Sequence, residues 1–278
     1  MNTMKKYGLL GGRIEHSLSP AIHQIINRRF NASASYRIYD ESRLPEVVMA
    51  DIKRQNISGF NVTIPYKQTI IPHLDCLTRR ASKIDSVNTV TLIDGKYVGD
   101  NTDSSGFGAL LKRNNVSLKN KKVLILGAGG AANAVVDQAI QSDANMVLIY
   151  NRTRARTNQL MIRAKSAYQF DNIMSVFDYH GLVVDVVVNA TPLGGVQYRD
   201  IAAFNPAVID ASIYIDLVYL PRCTVAMRAA KEGGMKVIGG LDMLVYQAVE
   251  AASLWHGFGY ECAEVEEIIC DVRELAYT

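Results

Sequence analysis

A chain of 278 residues can hold two compact domains or one large α/β domain. With 49% hydrophobic and 21% charged residues it has the balance of an ordinary soluble globular protein and not of a disordered one. A net charge of +3 with no run of Lys and Arg gives no electrostatic footprint for nucleic acid, and no uncharged stretch approaches the roughly 18 residues that span a bilayer.

In chain order, Met1–Lys6 is polar and leads into Tyr7–Leu10, a strand signal too short to be a signal peptide. Ser19-Pro20 starts a helix running to about Phe30, with Ser as cap and Pro in the first turn. Ser35–Tyr39 alternates like a strand, Leu44–Arg54 is amphipathic, and Gly59–Thr63 is a strand stopped by Pro65. Thr78–Ile84 is a short helical piece. Thr89–Ile93 and Lys96–Val98 flank Asp94-Gly95, a strong hairpin turn. A helix follows from Ser105 towards Asn114.

The pattern changes after the polar break at residues 119–122. Val123–Leu126, Met146–Tyr150, Val183–Val188 and Ile213–Val218 are mostly continuous apolar runs, as expected of parallel strands covered on both faces. Ala131–Ile140, Arg154–Ala164 and Val225–Glu232 are the intervening helices, and Lys236–Ile238 reads as a last strand. Two helices close the chain, from about Leu241 to His256 and from about Ala263 to Leu275.

Cys76, Cys223, Cys262 and Cys270 show no CxxC spacing and read as reduced thiols of a cytoplasmic protein. His16, His23, His73, His180 and His256 are scattered, so no metal site is expected. His23, among Ile22, Ile25 and Ile26, reads as a structural or surface residue.

The best-defined motif is the run of Val123–Leu126 into Gly127-Ala128-Gly129-Gly130-Ala131-Ala132, followed by a helix. This is the alanine form of the dinucleotide fingerprint. Gly127 permits the tight turn, Gly129 lets a pyrophosphate approach the backbone, and Ala132 lets helix and strand pack closely. The pyrophosphate would face the free amides at the positive end of the helix. The alternative is a glycine-rich loop in another α/β fold. An NAD enzyme places an acid about 20 residues beyond the glycines, at the end of the second strand. Here Tyr150 is followed by Asn151-Arg152-Thr153-Arg154-Ala155-Arg156. Cationic forks in place of an acid suit a 2′-phosphate, so NADP is the expected cofactor; a solvated basic patch is the alternative.

Polar clusters at predicted strand ends carry a wider resemblance. His16-Ser-Leu-Ser-Pro20, Phe60-Asn-Val-Thr-Ile-Pro-Tyr-Lys67, Asn88-Thr89, Asn101-Thr102-Asp103, the Gly127 loop, Asn151-Arg152-Thr153 with Arg156, Asn189-Ala-Thr-Pro-Leu-Gly194 and Gln247-Ala248 span almost the whole chain. With these blocks in this order the chain resembles the shikimate dehydrogenase family. The resemblance implies an N-terminal α/β substrate domain (1–104) completed by C-terminal helices (241–278), and a Rossmann-like NADP-binding domain (105–240), with the active site in the cleft between them. It implies reversible NADPH-dependent reduction of 3-dehydroshikimate to shikimate in aromatic amino-acid biosynthesis. The expected partners are this small-molecule substrate and cofactor, without nucleic acid or membrane, in a monomer or homodimer.

Matched residue by residue, Ser17 and Ser19 resemble the hydroxyls that bind the substrate carboxylate, and Thr63, Asn88 and Gln247 resemble further contacts to carboxylate and ring hydroxyls. Lys67 and Asp103 resemble the catalytic pair. Tyr219 and Gly240 resemble residues lining the substrate or nicotinamide pocket. Cofactor binding falls to Gly127, Ala128, Gly129, Gly130, Ala131, Asn151, Arg152, Thr153, Arg156 and Gly240. Blander roles stay open: helix capping for Ser19 and Asp103, solvent exposure for Lys67, interior polar anchoring for Asn88 and Gln247. Three places depart from the family pattern: Asp85-Ser86 replaces the usual Gly-Ala, Ser104-Ser105 follows Asp103 where a glycine comes first, and Gly195 replaces Met. Asp85 puts an extra carboxylate near a site for an anion. Rival readings are a quinate/shikimate dehydrogenase of broader substrate or NAD specificity, and a nucleotide-binding regulatory protein without catalysis.

Overall fold

The mixed strands upstream of residue 102 and the continuous apolar runs downstream fold into separate sheets, each of six strands. The computed structural model describes residues 4–40 and 43–278. They form two compact units, one of residues up to Thr102 together with Val245–Thr278, the other Asp103–Leu244.

The first unit contains β1 (Lys5–Gly11), α1 (Ser19–Arg29), β2 (Ala34–Asp40), α2 (Pro45–Arg54), β3 (Gly59–Val62), α3 (Tyr66–Thr69), β4 (Cys76–Leu77), α4 (Arg79–Ile84), β5 (Thr89–Ile93) and β6 (Lys96–Asp100). Its sheet order is β2-β1-β3-β5-β6-β4. The pairs β1–β2 and β1–β3 are parallel, whereas β5 runs antiparallel to both β3 and β6. Asp94 and Gly95 turn the β5–β6 hairpin with φ of 49° and 77°, the conformation that Asp-Gly favours. One face of the sheet buries Leu10, Phe60, Val62 and Val90 against Val48, Met49 and Ile52 of α2, the apolar stripe that the amphipathic spacing predicts.

The second unit contains α5 (Asp103–Arg113), β7 (Lys122–Leu126), α6 (Gly130–Gln141), β8 (Met146–Tyr150), α7 (Arg154–Tyr168), β9 (Ile173–Val176), β10 (Val186–Asn189), β11 (Ile213–Asp216), α8 (Val225–Glu232) and β12 (Lys236–Gly239). All its strand pairs are parallel, in the order β12-β11-β10-β7-β8-β9. This is the doubly wound order of dinucleotide-binding folds, with its switch point between β7 and β10. The central strands are mostly apolar because both faces are covered. Val123, Ile125, Val147, Ile149, Val186 and Val188 enter one core, while Leu124, Leu126, Leu148, Val187 and Tyr214 enter the other.

α9 (Leu241–His256) and α10 (Cys262–Tyr277) end the chain. From Val245 onward they belong to the first unit. Trp255 of α9 stacks on Tyr7 of β1 at 4.6 Å and donates its indole N–H to the Val90 carbonyl at 3.1 Å. α10 packs along α1, where Arg29 pairs with Glu267 and Asp271.

Several boundaries differ from the sequence expectation. Leu18, not Ser19, occupies the cap position of α1, and no side chain caps that helix; Ser19 is its first residue. α5 begins at Asp103 and not near Ser105, so Asp103 lies in the first turn, where a carboxylate favours the positive end of the helix dipole. In the Val183–Val188 run only Val186 onward joins the sheet; Val183 is exposed and forms an isolated bridge to Asp210. β9 has no counterpart in the sequence reading, because it is a short edge strand with Met174 exposed and no periodic pattern to reveal it.

Candidate active site

Topology gathers the polar clusters of the first unit at one edge of its sheet. The parallel strands β1 and β3 both end there, so Ser17 and Ser19 follow one end and Thr63 and Lys67 the other. Antiparallel β5 begins at that edge, with Thr89 opposite Asn61, and β6 ends there, with Asp100 opposite Thr89. Asn88 and the pair Asn101-Thr102 therefore arrive at the same place. Gly12 N–H donates to the Ile64 carbonyl at 2.9 Å and ties the first two loops together.

The polar side chains at this edge are buried and satisfy one another. Asn88 Nδ2 donates to Thr102 Oγ1 at 2.9 Å and to Gln247 Oε1 at 3.1 Å. Its Oδ1 accepts from the Thr102 N–H at 2.7 Å and from Thr89 Oγ1 at 3.1 Å. Thr102 Oγ1 donates to the Gln247 carbonyl at 3.0 Å, so α9 is joined to the edge. Asn61 Nδ2 donates to Thr89 Oγ1 at 3.1 Å and to the Asn88 carbonyl at 3.2 Å. Ser17 Oγ donates to Ser19 Oγ at 3.2 Å, and Tyr36 OH donates to Asn61 Oδ1 at 2.9 Å. Removing one member of such a set leaves the others buried and unpaired, at ~1–3 kcal/mol each.

Thr63 is half-buried at the end of β3, its N–H donating to the Leu10 carbonyl at 2.8 Å and its carbonyl accepting from Tyr66 N–H at 2.9 Å. Lys67 is half-buried on α3, and its carbonyl accepts the Val87 N–H at 2.7 Å. Asp103 is buried as the residue directly after Thr102. An ion-pair set braces the edge from behind: Arg80 binds Asp100 at 2.9 Å and Glu250 of α9 at 2.6 Å. Burial pushes the Asp100 carboxyl up, but hydrogen bonds from Arg80 and Thr78, the Arg80 charge and the Asn101 N–H outweigh it and hold the group below its ordinary value.

The departures from the family pattern have local explanations. Asp85 is left-handed, with φ 54° and ψ 41°, at the C-terminal cap of α4. Glycine adopts that conformation freely and Asp tolerates it; the Asp85 carboxylate accepts from Gln68 Nε2 at 3.2 Å. Ser86 Oγ is buried without a hydrogen-bond partner among the described residues. Ser104 Oγ donates to the buried Asp137 carboxylate of α6, which also accepts from Tyr168 and Gln141. For Gly195 in place of Met the structure offers no explanation.

In the second unit the strand ends present backbone and exposed charge. Gly127 has φ 113°, and a side chain there would also press on the Ala190 carbonyl at 3.1 Å. A Cβ added at Gly129 would meet nothing within 4 Å, which leaves the backbone before α6 open to close approach. Ala132 is fully buried, where only a small side chain lets α6 lie on the sheet. The residues Gly127 to Ala131 thus fit a pyrophosphate. At the end of β8, Asn151 Nδ2 donates to the Thr153 carbonyl at 2.9 Å and folds the turn. Arg152, Thr153 and Arg156 are exposed, and neither arginine has a carboxylate partner among the described residues. Arg154 lies over the Phe177 ring at 4.3 Å. No acid stands at this strand end, so the donor set fits a 2′-phosphate.

Further along the same edge, Gly240 is required by contact: a Cβ there would stand 2.2 Å from the Leu217 carbonyl. Its N–H donates to the Val218 carbonyl at 3.3 Å, next to half-buried Tyr219. Asp216, fully buried, organises these loops. It accepts from Thr224 Oγ1 at 2.7 Å, Asn189 Nδ2 at 2.8 Å, Tyr214 OH at 2.9 Å and Val218 N–H at 3.1 Å. Burial raises its carboxyl above the ordinary value despite those donors.

The sequence reading assigned no role to Tyr36, Asn61, Thr89, Thr102, Asp216 or Thr224, and placed His23 only as structural or surface. A signal existed for Asn61, a polar residue between Phe60 and Val62 in an apolar strand, and for Asp216 at the end of one. Among the described residues no cluster of His, Cys, Asp and Glu could hold a metal, and no helix is long and apolar enough to cross a membrane.

Comparison with known proteins agrees with both units. Residues 9–90 match the shikimate dehydrogenase substrate binding domain, and residues 109–218 match shikimate / quinate 5-dehydrogenase. The chain is 37% identical to the shikimate dehydrogenase (NADP(+)) of Nitrosopumilus maritimus, over 91% of this chain and 93% of that one. A shikimate dehydrogenase from Peptoclostridium difficile superposes with a TM-score of 0.90 at 28% identity, covering 99% of this chain and 100% of its own. The Thermus thermophilus enzyme, solved in complex with NADP(H) and shikimate, gives 0.82 at 31% identity, covering 97% and 100%. The chain belongs to the shikimate dehydrogenase family.

Proposed function

We propose that this protein reduces 3-dehydroshikimate to shikimate reversibly with NADPH, a cytoplasmic step of aromatic amino-acid biosynthesis. The observation that carries this reading is the edge that gathers the hydrogen-bonded Ser17–Ser19 pair and the Asn88–Thr102–Gln247 network beside Thr63 and Lys67. A polyhydroxylated acid needs many directional partners, and a site built on them discriminates strongly, because an analogue lacking a hydroxyl strands buried groups. The Nitrosopumilus relative's name and the Thermus complex supply support for substrate and cofactor.

On this reading residues 1–104 and 241–278 bind substrate, and 105–240 bind the cofactor. Ser17 and Ser19 hold the carboxylate, while Thr63, Asn88 and Gln247 hold carboxylate and ring hydroxyls. Gly127, Ala128, Gly129, Gly130 and Ala131 hold the pyrophosphate through their backbone. Asn151, Arg152, Thr153 and Arg156 hold the phosphorylated ribose, and Tyr219 and Gly240 line the nicotinamide side. NADP, when bound, supplies the hydride or takes it up. Lys67 gives a proton from its ammonium to the oxygen that gains charge as the ketone is reduced, and takes it back in the oxidation. Asp103 is the second member of the pair and orients this lysine.

Absorbance at the nicotinamide band tests the reading, with shikimate or quinate offered together with NADP or NAD. The expected result is turnover of shikimate with NADP; turnover of quinate with NAD would move the protein to the broader relatives. Lys67→Ala should lower kcat by roughly 10²–10⁴-fold, and its loss should not add to that of Asp103→Asn, because one missing member already disables the pair. Near-normal turnover of Lys67→Ala would overturn the mechanism.

A further inference from the structure

The mechanism leaves one buried carboxylate of the second unit unused. Asp137 is buried in a stretch of α6 whose neighbours Val135, Val136 and Ala139 are buried as well. A carboxylate in such surroundings is costly unless it is hydrogen-bonded. No Lys or Arg among the described residues pairs with Asp137. Three neutral donors hold it instead: Ser104 Oγ, Tyr168 OH, and Gln141 Nε2 at 2.7 Å. Burial, followed by the hydrogen bond to Asp137 and the charge of that carboxylate, pushes the Tyr168 phenol well above its ordinary range, so its hydrogen stays in place.

Gln141 lies one turn further along α6 and Tyr168 ends α7, so these two bonds are made away from any candidate site residue. Ser104 differs from them. It is the second residue of α5, directly after Asp103, and it stands where the family pattern has a glycine, which could not make this bond. Successive residues of a helix project about 100° apart, so pinning the Ser104 side chain to α6 fixes the direction in which Asp103 leaves α5. Thr102, on the other side of Asp103, is fastened too: its N–H donates to Asn88 Oδ1 at 2.7 Å and its hydroxyl to the Gln247 carbonyl at 3.0 Å. Asp103 thus sits between two anchored neighbours. Since α6 opens at Gly130 in the dinucleotide turn, the Ser104–Asp137 bond also sets Asp103 relative to that turn.

We propose that Ser104 and Asp137 are positioning residues for Asp103: the Asp137 carboxylate holds the Ser104 hydroxyl against α6, and this fixes the first turn of α5 and the direction of the Asp103 side chain. The inference rests on the reading of Asp103 as a member of the catalytic pair.

Steady-state oxidation of shikimate with NADP tests it in Ser104→Ala, Asp137→Leu, Asp137→Asn and Tyr168→Phe. Ser104→Ala and Asp137→Leu should lower kcat about tenfold, within the roughly hundredfold that a ~1 Å misplacement costs, with KM for NADP little changed. Their effects should not add, since both break one contact. Asp137→Asn keeps an oxygen for Ser104 and Gln141, while the Tyr168 oxygen can accept from the new amide; it should retain most of the wild-type kcat. Tyr168→Phe removes a bond remote from α5, and should lower the melting temperature and leave kcat little changed. Near-normal kcat in Ser104→Ala, which deletes one oxygen and serves even where Asp137→Leu does not fold, would overturn the proposal. So would equal losses of kcat in Ser104→Ala and Tyr168→Phe, the outcome of a merely structural cluster. Carbon-13 NMR of the Asp103 carboxyl, assigned by its absence from Asp103→Asn, gives a readout independent of turnover. The resonance should move in Ser104→Ala and hold still in Tyr168→Phe; an unmoved resonance in Ser104→Ala refutes the proposal. Wild-type protein inert on shikimate whose Asp103 resonance moves in Ser104→Ala would fail the functional reading and leave the positioning of Asp103 standing.

Discussion

Both sheets gather their candidate binding residues at strand ends, but they present different chemistry there. The edge of the first unit is made of buried side chains, Asn61, Asn88, Thr89, Asn101 and Thr102, whose donors and acceptors are matched to each other. The edge of the second unit offers backbone at Gly127 and Gly129, and exposed cations at Arg152 and Arg156. Buried side chains recognise a ligand by orientation, and a single loss propagates because its neighbours cannot turn to water. Backbone and exposed charge recognise phosphate by field and approach, and a loss stays local.

Three measurements would break or sharpen this contrast. The largest effect should follow Arg80→Met in the first unit. Arg80, Asp100 and Glu250 are each less than a third exposed, at 29%, 13% and 19% of the side chain. Removing the cation leaves two partly buried carboxylates without its charge, at about 3 kcal/mol of unfolding free energy at neutral pH. Because Asp100 is held below its ordinary value, the stability it contributes is fully present above about pH 4 and is lost as pH falls through the depressed value. Denaturant titrations from neutral to acid pH should show this acid-labile component in the wild type and not in the variant. A loss of less than ~1 kcal/mol in Arg80→Met at neutral pH would mean that the edge is not coupled as described.

A smaller and strictly local effect is expected in the second unit. Arg152→Ala should raise KM for NADP by about tenfold, the scale of a charged hydrogen bond, with use of NAD and melting temperature little changed. Equal losses for both cofactors would assign Arg152 a structural role and weaken the contrast. The smallest effect should be a gain. Ser86→Ala removes a buried hydroxyl without a partner but keeps the backbone carbonyl that accepts from Asn101 Nδ2 at 2.8 Å. Thermal unfolding should show stabilisation of about 1 kcal/mol. A loss instead would show that the hydroxyl has a partner in solution.

The two edges also differed in how well they could be read from sequence. The turn at Gly127 was legible because positive φ restricts the residue to glycine and the strand, turn and helix are contiguous. The arginines after Tyr150 were legible because a missing acid is itself a local signal. In the first unit, Ser17, Lys67 and Asn88 became candidates only through resemblance to a family, since no local rule distinguishes a binding asparagine from a buried anchor. Tyr36 and Thr102 received no role, and His23 was read only as structural or surface, because their partners lie far away in the chain: His23 meets Asn61 across 38 residues, and Thr102 meets Gln247 across 145.

Residue pattern alone determined β7, β8, β11 and β12, the Asp94-Gly95 hairpin, the α8 and α9 boundaries and the dinucleotide turn. In each case the cause is short-range: side-chain period, backbone conformation and propensity act within a few residues. Tertiary structure alone decided that Ser19 is not a cap, that Asp103 opens α5, and that α9 carries Gln247 and Trp255 back to the first sheet. It also decided the sense of the hydrogen bonds that the Asn61 amide makes. That sense depends on the Asn88 carbonyl, an acceptor in every conformation, and only the pairing of β3 with β5 brings Asn61 within its reach.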